Sequence, residues 1–281
     1  MKVCEAVNYG IKTITHLSDT ARLDTEILLG HIISKSRVYL RTWPDYVISK
    51  DDISIFKDYI KRRSSGEPVA YILGYQYFWG IKFTVDNNVL IPRPETETII
   101  ETILSLFPET NSKSVLELGT GSGAISCALA VERPTWPILA IDISDNALEI
   151  TKKNISRYEL YNISIRKSCW FSNIGNDEKF NIIVSNPPYI DHNDDDLCSN
   201  VKKYEPINAL IPKSGRGLDD IKDIICHGQS YLRPDGYLFI EHGFKQGAQV
   251  RSIFLNFNYY GVNTVKDTAG MNRVTYAQYK A

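Results

Sequence analysis

Leu116-Glu117-Leu118-Gly119-Thr120-Gly121-Ser122-Gly123-Ala124 is the stretch that decides the fold. A short apolar run enters three alternating glycines, and a helical pattern opens at Ala124. The pattern is strand, tight turn, helix. Glycines allow the backbone angles such a turn needs and let a ligand come close to the main chain. Asp142 ends the next predicted strand, 23 residues after Gly119. There its carboxylate can accept from both hydroxyls of a ribose. Taken alone the signal stays open. Gly119, Gly121 and Ala124 also satisfy the G-x-G-x-x-G/A pattern of dinucleotide-binding turns, and a bare strand–helix turn would read the same way.

Outward from this stretch, strands are predicted at Ser114–Leu118, Ile138–Asp142, Ile163–Arg166, Phe180–Ser185 and Tyr237–His242. Helices alternate with them near 123–132, 145–157, 218–232 and 244–255, and 258–279 reads as two more strands. Such alternation predicts an α/β fold with a mainly parallel sheet and helices on both faces. Ligands of these sheets bind outside the carboxyl ends of the strands. Loops 119–123, 142–145, 168–171 and 186–196 all fall at that edge.

The first third differs. Leu23–Ile33 carries apolar residues at helical spacing, and Asp51-Asp52 can cap a second helix with Ile53, Phe56 and Ile60 on one stripe, closed by Gly66 and Pro68. Tyr75, Tyr77, Phe78, Trp79, Ile81, Phe83 and Val85 are strand formers interrupted by Gly80 and Asp86-Asn87-Asn88, so a hairpin is expected. A helix then begins at Pro94, with Ile99, Ile100, Ile103, Leu104 and Phe107 facing inward. The expected organisation is a helical domain over 1–74, a hairpin linker over 75–92 and a sheet domain over 93–281.

Composition narrows the classes. At 281 residues, about two domains are expected. Lys and Arg number 32 against 33 Asp and Glu, a net charge of −1, which argues against a protein that coats nucleic acid. The five cysteines, Cys4, Cys127, Cys169, Cys198 and Cys226, form no C-x-x-C pair. Neither a disulfide framework nor a zinc site is supported, and a reducing cytoplasm is expected. No apolar h-region follows Met1 and no run of about 18 apolar residues occurs, so neither a signal peptide nor a membrane span is expected.

The chemistry is carried by Asn186-Pro187-Pro188-Tyr189, directly after the strand Phe180–Ser185. Two prolines cannot continue a central strand, so they make a stiff extended corner at the ligand edge. Such a corner holds the Asn186 side chain and the Pro187 carbonyl in fixed places. Methyl transfer to a planar nitrogen needs this, because the lone pair of an amide or aromatic amine is delocalised. Accepting both N–H hydrogens, at Asn186 Oδ1 and the Pro187 carbonyl, would aim the nitrogen at a sulfonium methyl, and Tyr189 can pack on the flat group. The acceptors would strengthen as positive charge grows on nitrogen. Glu117, two residues before the first glycine, suits a cationic methionine moiety better than a pyrophosphate. S-adenosylmethionine is therefore favoured over a nicotinamide cofactor. No metal is required.

With these residues the chain resembles a known family. Gly66-Glu67-Pro68-Val69-Ala70-Tyr71-Ile72, Phe78-Trp79 and Ile91-Pro92-Arg93-Pro94-Glu95-Thr96-Glu97 look like the release factor glutamine methyltransferases, the HemK/PrmC family. So do Asn186-Pro187-Pro188-Tyr189-Ile190, Tyr204-Glu205-Pro206 and Glu241-His242-Gly243. The resemblance runs from about residue 20 to the end. It implies a helical substrate-recognition domain, a hairpin and a Rossmann-like seven-stranded class I methyltransferase domain with strand order 3-2-1-4-5-7-6. It implies N5-methylation of the glutamine in the Gly-Gly-Gln tripeptide of class-1 peptide chain release factors, in translation termination. By the same resemblance, the cofactor residues fall on Glu117, Gly119, Thr120, Gly121, Ser122, Gly123, Asp142, the adenine-side Trp170 and Asn186. The substrate glutamine falls on Asn186, Pro187, Pro188 and Tyr189, with Asn186, Pro187 and Tyr189 catalytic. One position departs: Cys169 stands where the family usually has an acid before the aromatic. A thiol accepts weakly, and a backbone carbonyl is the alternative acceptor for the adenine amino group.

Other residues have two readings. Arg93 can reach a methionine carboxylate or substrate, or bridge the hairpin. Asp191, Asp194, Asp195 and Asp196 read as a solvated loop that would repel DNA phosphates. His192 could be offered as a general base, which the mechanism does not need. His242 reads as structural, Cys127 as core, and the Tyr75–Trp79 aromatics as hairpin packing. A monomer without stable nucleic-acid binding is expected. The competing readings are a DNA amino-methyltransferase acting on adenine N6 or cytosine N4, a binding module with a degenerate cofactor loop, and a nicotinamide oxidoreductase. The first should carry a basic target-recognition region. The last leaves Asn-Pro-Pro-Tyr unexplained.

Overall fold

In the computed structural model, which describes residues 1–108, 111–193 and 199–280, the chain divides into two compact units, Met1–Tyr75 and Gln76–Ala281. The first unit is helical: α1 (Val3–Ile14), α2 (Ala21–Ile32), α3 (Arg37–Thr42), α4 (Lys50–Ser64) and α5 (Val69–Leu73). The sequence predicts only α2 and α4. In α1 the buried stripe is Val3, Ala6, Val7, Gly10 and Ile14. Its middle is a glycine pressed on α2, where a Cβ would lie 2.4 Å from Thr25 Cγ2, so the apolar signal is weak where the packing is closest. The cap of α4 is Ser49, whose side chain accepts from the Asp52 N–H, which puts Asp51 and Asp52 in the first turn instead of at the cap. Phe56 and Ile60 join the core with Leu28 and Leu29.

The hairpin is shorter than predicted. Strands β1 (Tyr75–Phe78) and β2 (Ile81–Thr84) are joined by Trp79-Gly80, with φ of +51° and +69°. Left-handed angles at both positions make a two-residue turn whose twist suits a hairpin. Pairing stops at Thr84. Beyond it Asp86 Oδ1 accepts from the Asn88 N–H, and this local turn replaces the ladder. Helix α8 (Asp145–Arg157) holds the hairpin: Tyr158, just past its end, accepts from Lys82 N, and Asn154 Oδ1 accepts from Thr84 N.

A 3₁₀ turn over Pro94–Thr96 leads into α6 (Glu97–Leu106), which buries Ile99, Ile100 and Ile103. Leu104 and Phe107 are only half-buried. The sheet then follows as β3 (Val115–Leu118), α7 (Ala124–Glu132), β4 (Ile138–Asp142), α8, β5 (Ile163–Lys167) and β6 (Phe180–Ser185). After it come α9 (Ser199–Tyr204), α10 (Asp219–Gly228), β7 (Leu232–Glu241), α11 (Gly247–Asn256), β8 (Tyr260–Lys266) and β9 (Asn272–Gln278). The strand order is β5-β4-β3-β6-β7-β9-β8. Counted within the sheet this is 3-2-1-4-5-7-6, the order the resemblance implies. The first five strands are parallel, and β9 runs antiparallel to both its neighbours.

All four residues of β3 are buried, as befits a central strand covered on both faces. The chain leaves β3 toward β4 on one side and returns as β6 on the other, which opens a crevice beyond their carboxyl ends. Ser185 Oγ donates to the Leu118 carbonyl at 2.8 Å and ties the two strand ends together at its floor. Among the described residues no helix is long and apolar enough to cross a membrane.

Candidate functional site

A cavity of about 480 Å³ sits in this crevice, within the range of small-molecule sites. Its wall is the glycine loop. Gly119, Gly121 and Gly123 have φ of +73°, +57° and +80°, the left-handed region that disfavours a side chain. At Gly123 a Cβ would also lie 2.9 Å from Thr151 Cγ2. From behind, α8 clamps the loop: Thr151 Oγ1 donates to the Gly121 carbonyl and Asn154 Nδ2 to that of Ser122, both at 2.9 Å. Across from Gly119 lies the ring of Trp170, with Cζ3 3.5 Å from where a Cβ would stand. Trp170 itself is left-handed, at φ +46°, and Ser168 Oγ holds its carbonyl at 2.7 Å.

Acids line the same cavity. Asp142 Oδ2 accepts from Gly121 N and Oδ1 from Ser144 N, both at 2.9 Å. A carboxylate has about four acceptor sites, so each oxygen keeps capacity for a further donor. Burial raises its pKa, and the backbone N–H groups of Ser144 and Gly121 oppose that. Glu117 is buried and serves the loop: its Oε2 accepts from Thr120 Oγ1 at 2.7 Å, from Ser126 N at 3.1 Å and from Ser126 Oγ. Burial pushes its carboxyl up to about 7. Cys169 is an exposed residue on the cavity rim, and Asp220 at the start of α10 is a further acid on the wall. Burial raises the pKa of Asp220, and the Trp170 side chain opposes that. Sequence spacing alone gave no sign of Asp220, because it lies 50 residues beyond Trp170. The aromatic face, the two-sided Asp142 carboxylate and the acidic wall suit a purine nucleoside with a cationic tail. The residues present thus fit S-adenosylmethionine.

The proline corner closes the other end. Asn186 and Pro188 line the cavity, while Pro187 is buried behind them and Tyr189 is half-buried against the sheet core. Asn186 Nδ2 donates to Thr96 Oγ1 at 3.2 Å. Among the described residues, neither Asn186 Oδ1 nor the Pro187 carbonyl accepts a hydrogen bond. Tyr189 is anchored at both ends: its carbonyl accepts from Gln246 Nε2 at 2.8 Å, and its phenol donates to Glu241 Oε1 at 3.3 Å.

Thr96 and Glu241 entered the sequence reading only within stretches that carry the resemblance, with no role assigned, and Gln246 and Gly217 did not enter it. Gly217 is the tightest of these: a Cβ there would fall 2.4 Å from the Tyr189 carbonyl oxygen and 3.1 Å from Asp191 N. Gly217→Ala is therefore expected to displace the corner. Turnover should fall on the order of ten- to a hundredfold, while affinity for S-adenosylhomocysteine stays within about twofold. Steady-state kinetics beside calorimetry would check this, and unchanged turnover would refute it.

The remaining sequence candidates have ordinary partners. Arg93 lines the cavity but pairs with Glu205 at 2.5 Å, and Glu205 also accepts from Ile91 N at 3.2 Å. It bridges the segment after the hairpin to the loop before α10. His192 is exposed, and its N–H donates to the Gly215 carbonyl at 2.9 Å. His242 is buried and meets Thr275 Oγ1 at 2.8 Å, a structural role. Cys127 is buried. Asp191 Oδ1 accepts from Asn193 N, whereas Asp194, Asp195, Asp196 and Cys198 lie outside the described residues.

The chain is similar to known proteins along most of its length. The family model described as PrmC N-terminal domain matches residues 5–74, and the Methyltransferase small domain matches 96–203. A release factor glutamine methyltransferase of Aliivibrio fischeri is 43% identical over 263 residues, covering 93% of this chain and 92% of the relative. One from Pseudomonas aeruginosa is 43% identical over 262 residues, covering 93% and 94%. Among solved structures, the delta-N METTL16 MTase domain matches with a TM-score of 0.56 at 18% identity, covering 80% of this chain and 99% of that one. That last likeness speaks for the fold alone. Identity above 40% along nearly the whole of both chains goes further, and it places this chain in the release factor glutamine methyltransferase family.

Proposed function

We propose that the chain transfers a methyl group from S-adenosylmethionine to the side-chain N5 of the glutamine in the Gly-Gly-Gln motif of class-1 peptide chain release factors. The observation that carries this reading is the pair of free acceptors, Asn186 Oδ1 and the Pro187 carbonyl, on a rigid corner beside the glycine-loop cavity. S-adenosylmethionine, when bound, supplies a methyl group on a positively charged sulfur. Gly119 to Gly123, Asp142 and Trp170 hold and orient that cofactor. Asn186 Oδ1 and the Pro187 carbonyl accept the two hydrogens of the glutamine NH2 and fix its plane. Both acceptors bind more tightly as charge grows on nitrogen, which lowers the barrier. Pro188 stiffens the corner, and Tyr189, held by Gln246 and Glu241, keeps it in register. The nitrogen gives up its extra proton to water.

The helical unit over 1–74 is the part we assign to recognition of the release factor, and the cytoplasm is where its substrate would be met. The near-neutral charge supports a protein substrate over DNA. The test mixes the protein with labelled S-adenosylmethionine and offers release factor, its Gly-Gly-Gln→Gly-Gly-Ala variant, and duplex DNA. Label is expected on the intact release factor alone. Label on DNA, or label surviving the glutamine change, would reject the reading.

A further inference from the structure

Glu241 ends β7 and is 1% exposed. Ser185 pairs with Ile240 across β6 and β7, so the next residues along the two strands are Asn186 and Glu241. A carboxyl group therefore stands beside the proline corner, behind the cavity wall. Its Oε1 accepts the Tyr189 phenol at 3.3 Å, whereas Oε2 is buried without a hydrogen-bond partner. The Thr96 hydroxyl lowers the pKa of this carboxyl more than the Tyr189 phenol does, although the structure forms no hydrogen bond between Thr96 and Glu241. Thr96 is itself buried and accepts from Asn186 Nδ2 at 3.2 Å.

The contact between Asn186 and Thr96 has a direction. A hydroxyl that accepts from Asn186 Nδ2 has one proton left to give, and an ionised carboxylate can only accept. Asn186 Nδ2 donates to the Thr96 oxygen, and the unpartnered Oε2 of an ionised Glu241 is the acceptor to which the remaining Thr96 proton would turn. This leaves Asn186 Oδ1 as the free end of the amide. Were Glu241 protonated it could donate to Thr96, which could then donate to Asn186 Oδ1. The amide would turn over and present N–H groups to a substrate that also presents N–H groups.

We propose that Thr96 and Glu241 are positioning residues that set which end of the Asn186 carboxamide faces the substrate, and so select an NH2-bearing group. This rests on the reading of Asn186 as the acceptor of the glutamine amide. The charged and titratable groups around Glu241 are the Tyr189 phenol after β6, Arg273 on β9 and Glu95 in the 3₁₀ turn. Burial is the largest influence on its carboxyl and pushes it up to about 7, with Thr96 and Arg273 opposing. Ionisation of Glu241 thus falls where activity is measured, and kcat should rise with pH across that range.

The test measures kcat, KM for release factor and affinity for S-adenosylhomocysteine in four full-length variants. Thr96→Val is expected to lower kcat about tenfold, the scale of one lost hydrogen bond, with cofactor-analogue affinity unchanged. Thr96→Ser, which keeps the hydroxyl, should restore most of it. Glu241→Gln should lose the acidic limb of the kcat–pH profile. Wild-type kcat in Thr96→Val, or an unaltered profile in Glu241→Gln, would overturn the proposal. If Glu241→Gln does not fold, the Val and Ser pair at position 96 still decides it. Asn186→Ala in the same assay separates the two readings. Loss there with full turnover in Thr96→Val removes only the positioning role, whereas full turnover in Asn186→Ala removes both.

Discussion

Asn186→Ala is expected to bind S-adenosylhomocysteine close to normally yet to turn over at least roughly a hundredfold more slowly, the scale of losing one preorganised acceptor at a developing charge. The argument is geometric. Asn186 lines the cavity and donates through Nδ2 to Thr96, and among the described residues its Oδ1 accepts no hydrogen bond. Truncation removes that oxygen and frees the Thr96 hydroxyl, but it does not touch the glycine loop or Asp142. The defect should therefore fall on kcat. Single-turnover kinetics with saturating cofactor would show it, and a rate within a few-fold of wild type would remove Asn186 from the mechanism. Asn186→Asp makes the comparison sharper. It keeps an oxygen in place but adds a charge beside Glu241, which is already buried.

Asp142→Ala should do the opposite and weaken cofactor affinity steeply. Under the proposed function Asp142 carries two duties at once, because each oxygen accepts one backbone N–H, from Gly121 or Ser144, and the residue lines the cavity where the ribose would lie. Alanine leaves two backbone donors unpaired and removes the acceptors for two hydroxyls. Hydrogen bonds to a charged group contribute about 1.5–3 kcal/mol each, so two lost ones amount to roughly a hundredfold or more in Kd. Asp142→Asn keeps one carbonyl oxygen and should fall between. Calorimetric titration with S-adenosylhomocysteine measures this directly. A Kd within about threefold of wild type in the alanine variant would show that the ribose lies elsewhere.

The parts of the site that could be read from the sequence are those whose rule is local. Three alternating glycines after a strand permit left-handed backbone angles, which all three adopt here, and two prolines after an apolar run must end a strand. Alternation predicted a mainly parallel sheet, and the strand order came from the resemblance alone. Contacts between distant segments were not legible. Thr96 meets Asn186 across 90 residues, and Tyr189 meets Glu241 across 52. Nothing in the local pattern of Pro94-Glu95-Thr96 separates a helix entry from a support of the reacting group. Gly217 reads as loop punctuation until the Tyr189 carbonyl is seen against it. In the helical unit, α3 and α5 are six and five residues long, too short for periodicity to register.

Asn154 spends one carboxamide on two tasks. It pairs with both main-chain groups of Thr84 in the hairpin and, through the same nitrogen, with the Ser122 carbonyl in the glycine loop. A hairpin grafted in from another scaffold would lose its anchor unless the recipient helix offered an asparagine at the matching turn. Conversely, whoever loosens that ribbon also unpins the turn that, under the proposed function, would cradle the nucleoside. Two features remote in sequence are thus bolted to one side chain, and neither can be redesigned without the other.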